Sequence, residues 1–141
     1  MSAVRFRYSA AADAPETLMP RLPLTLSFRG RVIEVVGLLD TGSAVNVLPY
    51  PVGLALGAVW DEHTISVPLV GSLGRMPARA LVAFALHPQI APDTPVRLVF
   101  AWTRVDDAPL IFGQMNFFAE FDVCFYRSQE AFDVRRKGVP A

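Results

Sequence analysis

The sequence predicts an all-β domain, a barrel or a sandwich. Three observations carry that reading: repeated short runs in which apolar and polar residues alternate, turns rich in glycine and proline between them, and a single helix candidate of about two turns. A chain of 141 residues suits one compact unit rather than two lobes.

Residues 1–19 mix Ala, Ser, Asp, Glu and Pro without clean periodicity and read as an N-terminal arm, either mobile or laid on the surface. The folded domain is expected over 20–137, with 138–141 as a tail. Leu22, Leu24, Leu26 and Phe28 alternate with polar residues and Pro23. Gly30 then breaks the run, and a second apolar stretch, Val32 to Val36, begins, which reads as a hairpin. Leu38-Leu39 continues extended into Asp40-Thr41-Gly42-Ser43, which is turn chemistry, and Val45 to Leu48 resumes the apolar pattern until Pro49 and Pro51. Residues 52–59 suit a short helical turn weakened by Gly53 and Gly57. Thr64 to Leu69 and Ala78 to Leu86 are β-like, and the piece between them, with Gly71 and Gly74, suits a hairpin tip. Val96 to Trp102 and Pro109 to Phe112 read as further strands, Gln114 to Glu120 as the helix, and Phe121 to Tyr126 and Ala131 to Arg135 as closing strands.

At 52% hydrophobic and 18% charged residues, the composition excludes global disorder and leaves apolar surface for a partner. Thirteen basic and thirteen acidic residues cancel, which removes the electrostatic footprint of nucleic-acid binding. Cys124 is the only cysteine, so no intramolecular disulfide or multi-cysteine zinc site is available. Met1 to Tyr8 lacks the continuous apolar stretch of a signal peptide. The longest apolar stretch, Val52 to Trp60, falls far short of the roughly 20 residues that cross a bilayer. A soluble, cytoplasmic protein without membrane contact is expected.

The chemistry is concentrated at Leu38-Leu39-Asp40-Thr41-Gly42-Ser43-Ala44, where an apolar strand delivers a carboxylate into a glycine turn. Asp, Thr, Ser and Gly are also ordinary β-turn residues, so the later part of the chain matters. There Leu110-Ile111-Phe112-Gly113 is followed by the helix candidate, about 70 residues after Asp40. Two apolar residues before Asp-Thr-Gly-Ser, then an apolar-apolar-Gly triplet ahead of a short helix, resemble the retropepsin-like aspartic proteases over about residues 20 to 135.

The resemblance implies a retropepsin-like acid protease barrel that works as a twofold homodimer, with a flap hairpin and one short C-terminal helix. Asp40 would be catalytic. Thr41 would hydrogen-bond across the twofold, Gly42 would permit the turn, and Ser43 would steady the carboxylate. Gly71, Ser72, Leu73 and Gly74 would form the flap, with Leu69, Leu73 and Met76 as apolar substrate walls. Ile111, Phe112 and Gly113 would pass beside the active-site turn. Two departures stand out: Gln114 replaces the arginine that often follows the second glycine in viral members, and Met115 is an extra residue before Asn116.

Peptide hydrolysis by aspartates needs one carboxylate as base on a water and another as acid on the carbonyl oxygen. This chain has one such motif, since Asp93-Thr94-Pro95 cannot reproduce the glycine turn and reads as a loop. The second Asp40 must come from a second copy, and the pair should titrate as a unit, with activity at acidic to mildly acidic pH. No metal or cofactor is needed. The partners expected are a peptide or protein substrate and a second copy of the chain, and the alternative is a protease-derived binding or dimerisation module that cleaves nothing. A third reading is a partner-dependent protease whose isolated domain is monomeric and silent.

Other candidates read more plainly. His63 and His87 lack a metal motif and suit surface or strand positions. Cys124 suits a buried small hydrophobe. Ser43 lacks the Gly-x-Ser-x-Gly context of a nucleophile, and no Lys-Ser or Lys-Thr follows Gly71 and Gly74 as a phosphate loop requires. Asp106-Asp107 and Asp122 suit turns and exposed strand faces, Phe117, Phe118 and Phe121 the core, and Arg135-Arg136-Lys137 a solvated tail.

Overall fold

A computed structural model of the chain describes residues 3–69, 74 and 76–138. Six strands close a barrel: β4 (Arg21–Phe28), β5 (Arg31–Leu39), β6 (Asn46–Leu48), β7 (Ala78–His87), β8 (Ala91–Thr103) and β9 (Ile111–Phe112), in the order β4-β5-β9-β6-β8-β7. The hairpin of β4 and β5 turns on Arg29 and Gly30, both at positive φ, the backbone twist that tight two-residue hairpins require. Its alternation is physical. Leu22, Leu24 and Leu26 are buried against Leu81, Leu98, Phe100 and Phe112, while Pro23 is exposed.

β9 is the element that matters for the site. It lies between β5 and β6, parallel to β5 with Leu38 opposite Ile111 and Leu39 opposite Phe112, and antiparallel to β6 with Val47 opposite Ile111. The two strands flanking the Asp40 turn are therefore wedged apart by a segment from much later in the chain.

Two helices accompany the barrel, α1 (Tyr50–Ala55) and α2 (Phe117–Glu120). Gly53 belongs in α1 for a packing reason, because a Cβ there would overlap the indole of Trp102. α2 is shorter than the expected 114–120. The N–H groups of Gln114 and Met115 are donated to the carbonyls of Ser43 and Ala44, at 2.9 and 2.8 Å, and so are spent outside the helix. Phe117 and Phe121 are buried and stack at 4.8 Å, and Phe117 also stacks on Phe112 at 4.9 Å, which fixes α2 to the barrel. Phe118 is only partly buried.

Outside the barrel, β1 (Val4–Arg7), β11 (Ala131–Arg136) and β10 (Phe121–Tyr126) form an antiparallel sheet in the order β1-β11-β10, and β2 (Ser9–Ala11) pairs with β3 (Ala14–Met19). Within the N-terminal stretch expected as an arm, mobile or laid on the surface, residues 4–19 carry three strands. The ladder to β11, the stacking of Phe6 on Phe132 at 5.4 Å and the Arg5–Asp133 ion pair at 2.8 Å hold β1 in place. Residues 139–141 of the expected tail lie outside the described residues.

Three further expectations change. Residues 64–69 form no strand; they meet β7 through the single bridge of Ser66 with Arg79, and Pro68 has no N–H to extend the ladder. Asp93-Thr94-Pro95 lies within β8 rather than in a loop, on an exposed stretch that tolerates proline. Cys124 is exposed on β10 and not packed, because Val123 and Phe121 take the inward positions of that strand. His63 is half-buried, its ring edge-on to Trp102 at 5.4 Å, and His87 closes β7.

Candidate active site

Asp40 follows the last residue of β5, and its backbone N–H donates to the carbonyl of Phe112 at 3.0 Å, one residue beyond the parallel pairing of β5 with β9. The chain then reverses. Ser43 N–H returns to the carbonyl of Asp40 at 3.1 Å, and Gly42 N–H donates to Asp40 Oδ1 at 2.9 Å. This local bond fixes the carboxylate, a side-chain-to-backbone closure typical of aspartate turns. A Cβ on residue 42 would stand 3.2 Å from Oδ1, so glycine allows the amide to approach. Asp40 is half-buried, while Thr41 and Gly42 are exposed, which leaves the carboxylate open to water.

Ser43 serves differently from what the sequence suggests. Its Oγ donates to the carbonyl of Val45 at 2.7 Å, within its own turn, rather than to the Asp40 carboxylate. The hydroxyl braces the entry to β6.

The second landmark closes on the first. Gly113 packs so tightly against the carbonyls of Ser43 and Val45 that a Cβ there would collide with both. Gln114 bonds to the turn twice, through its N–H to Ser43 O and through Nε2 to Thr41 O, each at 2.9 Å. Phe112 thus bonds to Asp40 and Gly113 packs against Ser43, while Ile111 lies opposite Leu38 and Val47 on the neighbouring strands. For the expected flap, Gly71, Ser72 and Leu73 lie outside the described residues. Gly74 is exposed and, with Leu69 and Met76, borders a cavity of about 350 Å³ against the start of β7.

Two asparagines organise this junction: Asn46, which the motif reading passed over, and Asn116, which it noted only as a flank of the second landmark. Asn46 is completely buried; its Oδ1 accepts from Gly113 N–H at 2.8 Å, and its Nδ2 donates to Val99 O and to Asn116 Oδ1, both at 3.0 Å. Asn116 Oδ1 also accepts from Val99 N–H at 2.9 Å, and its Nδ2 donates to Arg97 O at 2.7 Å. The signal was an asparagine inside the apolar run Val45 to Leu48, because a buried amide must find partners.

A cavity of about 400 Å³ opens at the carboxylate, bounded by Leu39, Asp40, Thr41, Pro20, Phe125 and Arg127 among others. Among the described residues, Asp40 is the only acid on its lining. Among the described residues no three His, Cys, Asp or Glu side chains gather where they could hold a metal, and no helix is long and apolar enough to cross a membrane.

The overall fold of the chain recurs in a solved structure. The chain superposes on a retropepsin-like aspartic protease from Rickettsia conorii with a TM-score of 0.61 and 10% sequence identity, over 94% of this chain and 92% of that one. The fold is retropepsin-like. No protein-family model and no curated protein sequence matches the chain.

Proposed function

We propose that this protein is an aspartic endopeptidase that acts as a homodimer through two Asp40 carboxylates. The observation that carries the reading is the setting of Asp40: an accessible carboxylate held by Gly42 N–H and locked to β9, in a retropepsin-like fold. A half-site is what one chain provides. Since Asp40 is the only acid on this cavity among the described residues, the second carboxylate that hydrolysis requires would be the partner's Asp40, supplied by a twofold that sets identical turns face to face. Thr41, exposed in the turn, would bond across that axis, a role its exposure supports.

Two such carboxylates share one proton, since adjacent like charges resist double ionisation. The ionised one takes a proton from water as its oxygen attacks the peptide carbonyl carbon, and the protonated one donates to the carbonyl oxygen. Collapse of the tetrahedral species then returns a proton to the departing amine. Neither metal nor cofactor enters. The even balance of charge favours peptide or protein chains over nucleic acid as substrate, and the reading places the enzyme in the cytoplasm.

Cleavage of a diverse peptide library from about pH 3.5 to 7.5, the range that brackets a shared-proton dyad, tests the reading. Wild type and Asp40→Asn are compared at concentrations where sedimentation shows both dimeric. Cleavage by the wild type alone supports the dyad. Silence of a dimeric wild type across the range refutes the peptidase and favours a binding module.

A further inference from the structure

We propose that the cavity at Asp40 accepts an acidic side chain of the substrate, with the Arg127 guanidinium as the group that selects it. The inference rests on the peptidase reading and names its substrate class. Arg127 and Asp40 line one cavity of about 400 Å³, whose remaining walls include Tyr8, Met19, Leu39 and Phe125. Apolar walls with a cation at the margin suit a side chain with a hydrocarbon stem and a carboxylate end, as in glutamate.

Arg127 is positioned rather than loose. Its Nη1 donates to Leu18 O at 3.1 Å, and its guanidinium lies over the Tyr8 ring at 5.6 Å. Of the five N–H donors a guanidinium carries, this uses one, and among the described residues Arg127 pairs with no carboxylate. The remaining donors are free to take a carboxylate in the two-pronged geometry arginine favours. Asp40 does not provide that partner, since no ion pair joins the two, and a dyad that shares a proton carries one negative charge rather than two. An anionic substrate group beside Arg127 is therefore compensated locally.

The test uses the full chain at dimeric concentration and peptides identical except for Glu, Gln or Lys, placed in turn at each position flanking the scissile bond. At one position the Glu peptide should exceed the Gln peptide in kcat/KM by about tenfold, the factor expected of one charge-assisted contact. Arg127→Lys should keep a reduced preference, and Arg127→Glu should reverse it in favour of the Lys peptide, a reversal that loss of the Leu18 contact alone would not produce. A wild type that cleaves without preference for Glu at any position, or a preference unchanged in Arg127→Glu, overturns the inference while leaving the peptidase reading intact. If the wild type cleaves nothing, the peptidase reading fails, and calorimetric binding of the same peptides to wild type and Arg127→Lys decides the pocket: no tighter binding of Glu than Gln overturns it.

Discussion

The backbone N–H of Gly113 donates to Oδ1 of the fully buried Asn46 at 2.8 Å, joining two segments that lie on either side of the Asp40 turn. Asn46 occupies the first position of β6 and Gly113 follows β9, so one side chain sets the distance between the strand leaving the turn and the segment wedged beside it.

Asn46→Ala should therefore destabilise the protein by about 1–3 kcal/mol, the cost of leaving buried donors such as the Gly113 N–H without an acceptor. Urea unfolding monitored by tryptophan fluorescence measures it. An unchanged midpoint would show that the bond does not hold the junction.

Gly113→Ala should be at least as damaging. The added methyl meets the Ser43 and Val45 carbonyls, which are backbone and cannot rotate away, so the strain falls on the turn that carries Asp40. Loss of about 1–3 kcal/mol of stability is expected, and with it a collapse of the proposed peptide cleavage. Wild-type turnover in Gly113→Ala would mean that the turn tolerates displacement.

Gln114→Ala separates local fixation from global stability. The Nε2 bond to Thr41 O is solvent-exposed, so its removal should cost no more than about 1 kcal/mol in unfolding. Thr41 sits at the tip where two copies are proposed to meet, so the larger effect should be on self-association. Sedimentation equilibrium of the variant should show a weaker dimer while its melting temperature hardly moves.

The terminal sheet should respond to acid. The Arg5 guanidinium, 2.8 Å from Asp133, holds that carboxyl below the usual aspartate range. The folded state therefore binds this proton less readily than the unfolded chain. The stabilisation is complete above the ordinary aspartate pKa of about 3.9 and is lost as pH falls through the lower folded value. Hydrogen exchange across Val4–Arg7 should accelerate in that range, and the change should be flattened in Asp133→Asn. A loss of protection of the same size in both proteins would exclude this pair as the cause.

His87 adds a second, milder pH response. Burial pushes its pKa below the ordinary histidine value of about 6.5, and its Nδ1 accepts from Gln89 N–H at 3.1 Å, a bond that protonation abolishes. Stability tied to neutral His87 is present above that ordinary value and declines as pH falls toward the lower folded one. Thermal melts of wild type and His87→Gln should diverge as the pH is raised from 5 to 7, a window set by the histidine reference value. Parallel curves would remove His87 from the account.

The barrel strands were legible because Leu22, Leu24 and Leu26 on β4 repeat with period two and every such residue is buried. The Asp40 turn was legible because its chemistry is local, down to the Gly42 amide on the carboxylate. What escaped depends on distant partners. Val4 to Arg7 forms a strand because β11, more than a hundred residues later, offers an edge. Gln114 and Met115 look helical in isolation, and they leave the helix because the Ser43 and Ala44 carbonyls claim their N–H groups. Ser43 and Cys124 were misread for the same kind of reason: the Val45 carbonyl and the pleat of β10 decide what each side chain meets.

The wedge of β9 between β5 and β6 also dictates when the Asp40 turn can be completed. Its long-range restraints come from Phe112, Gly113 and Gln114, so a nascent chain that has not yet exposed these residues carries the Asp-Thr-Gly tripeptide with its local turn bonds only. Closing so long a loop comes late in folding, after the local β4–β5 hairpin is able to form. A chain emerging from the ribosome thus lacks the contacts that lock the turn until its last quarter is available, and a truncation before residue 110 should leave the Asp40 turn without its clamp however soluble the fragment is.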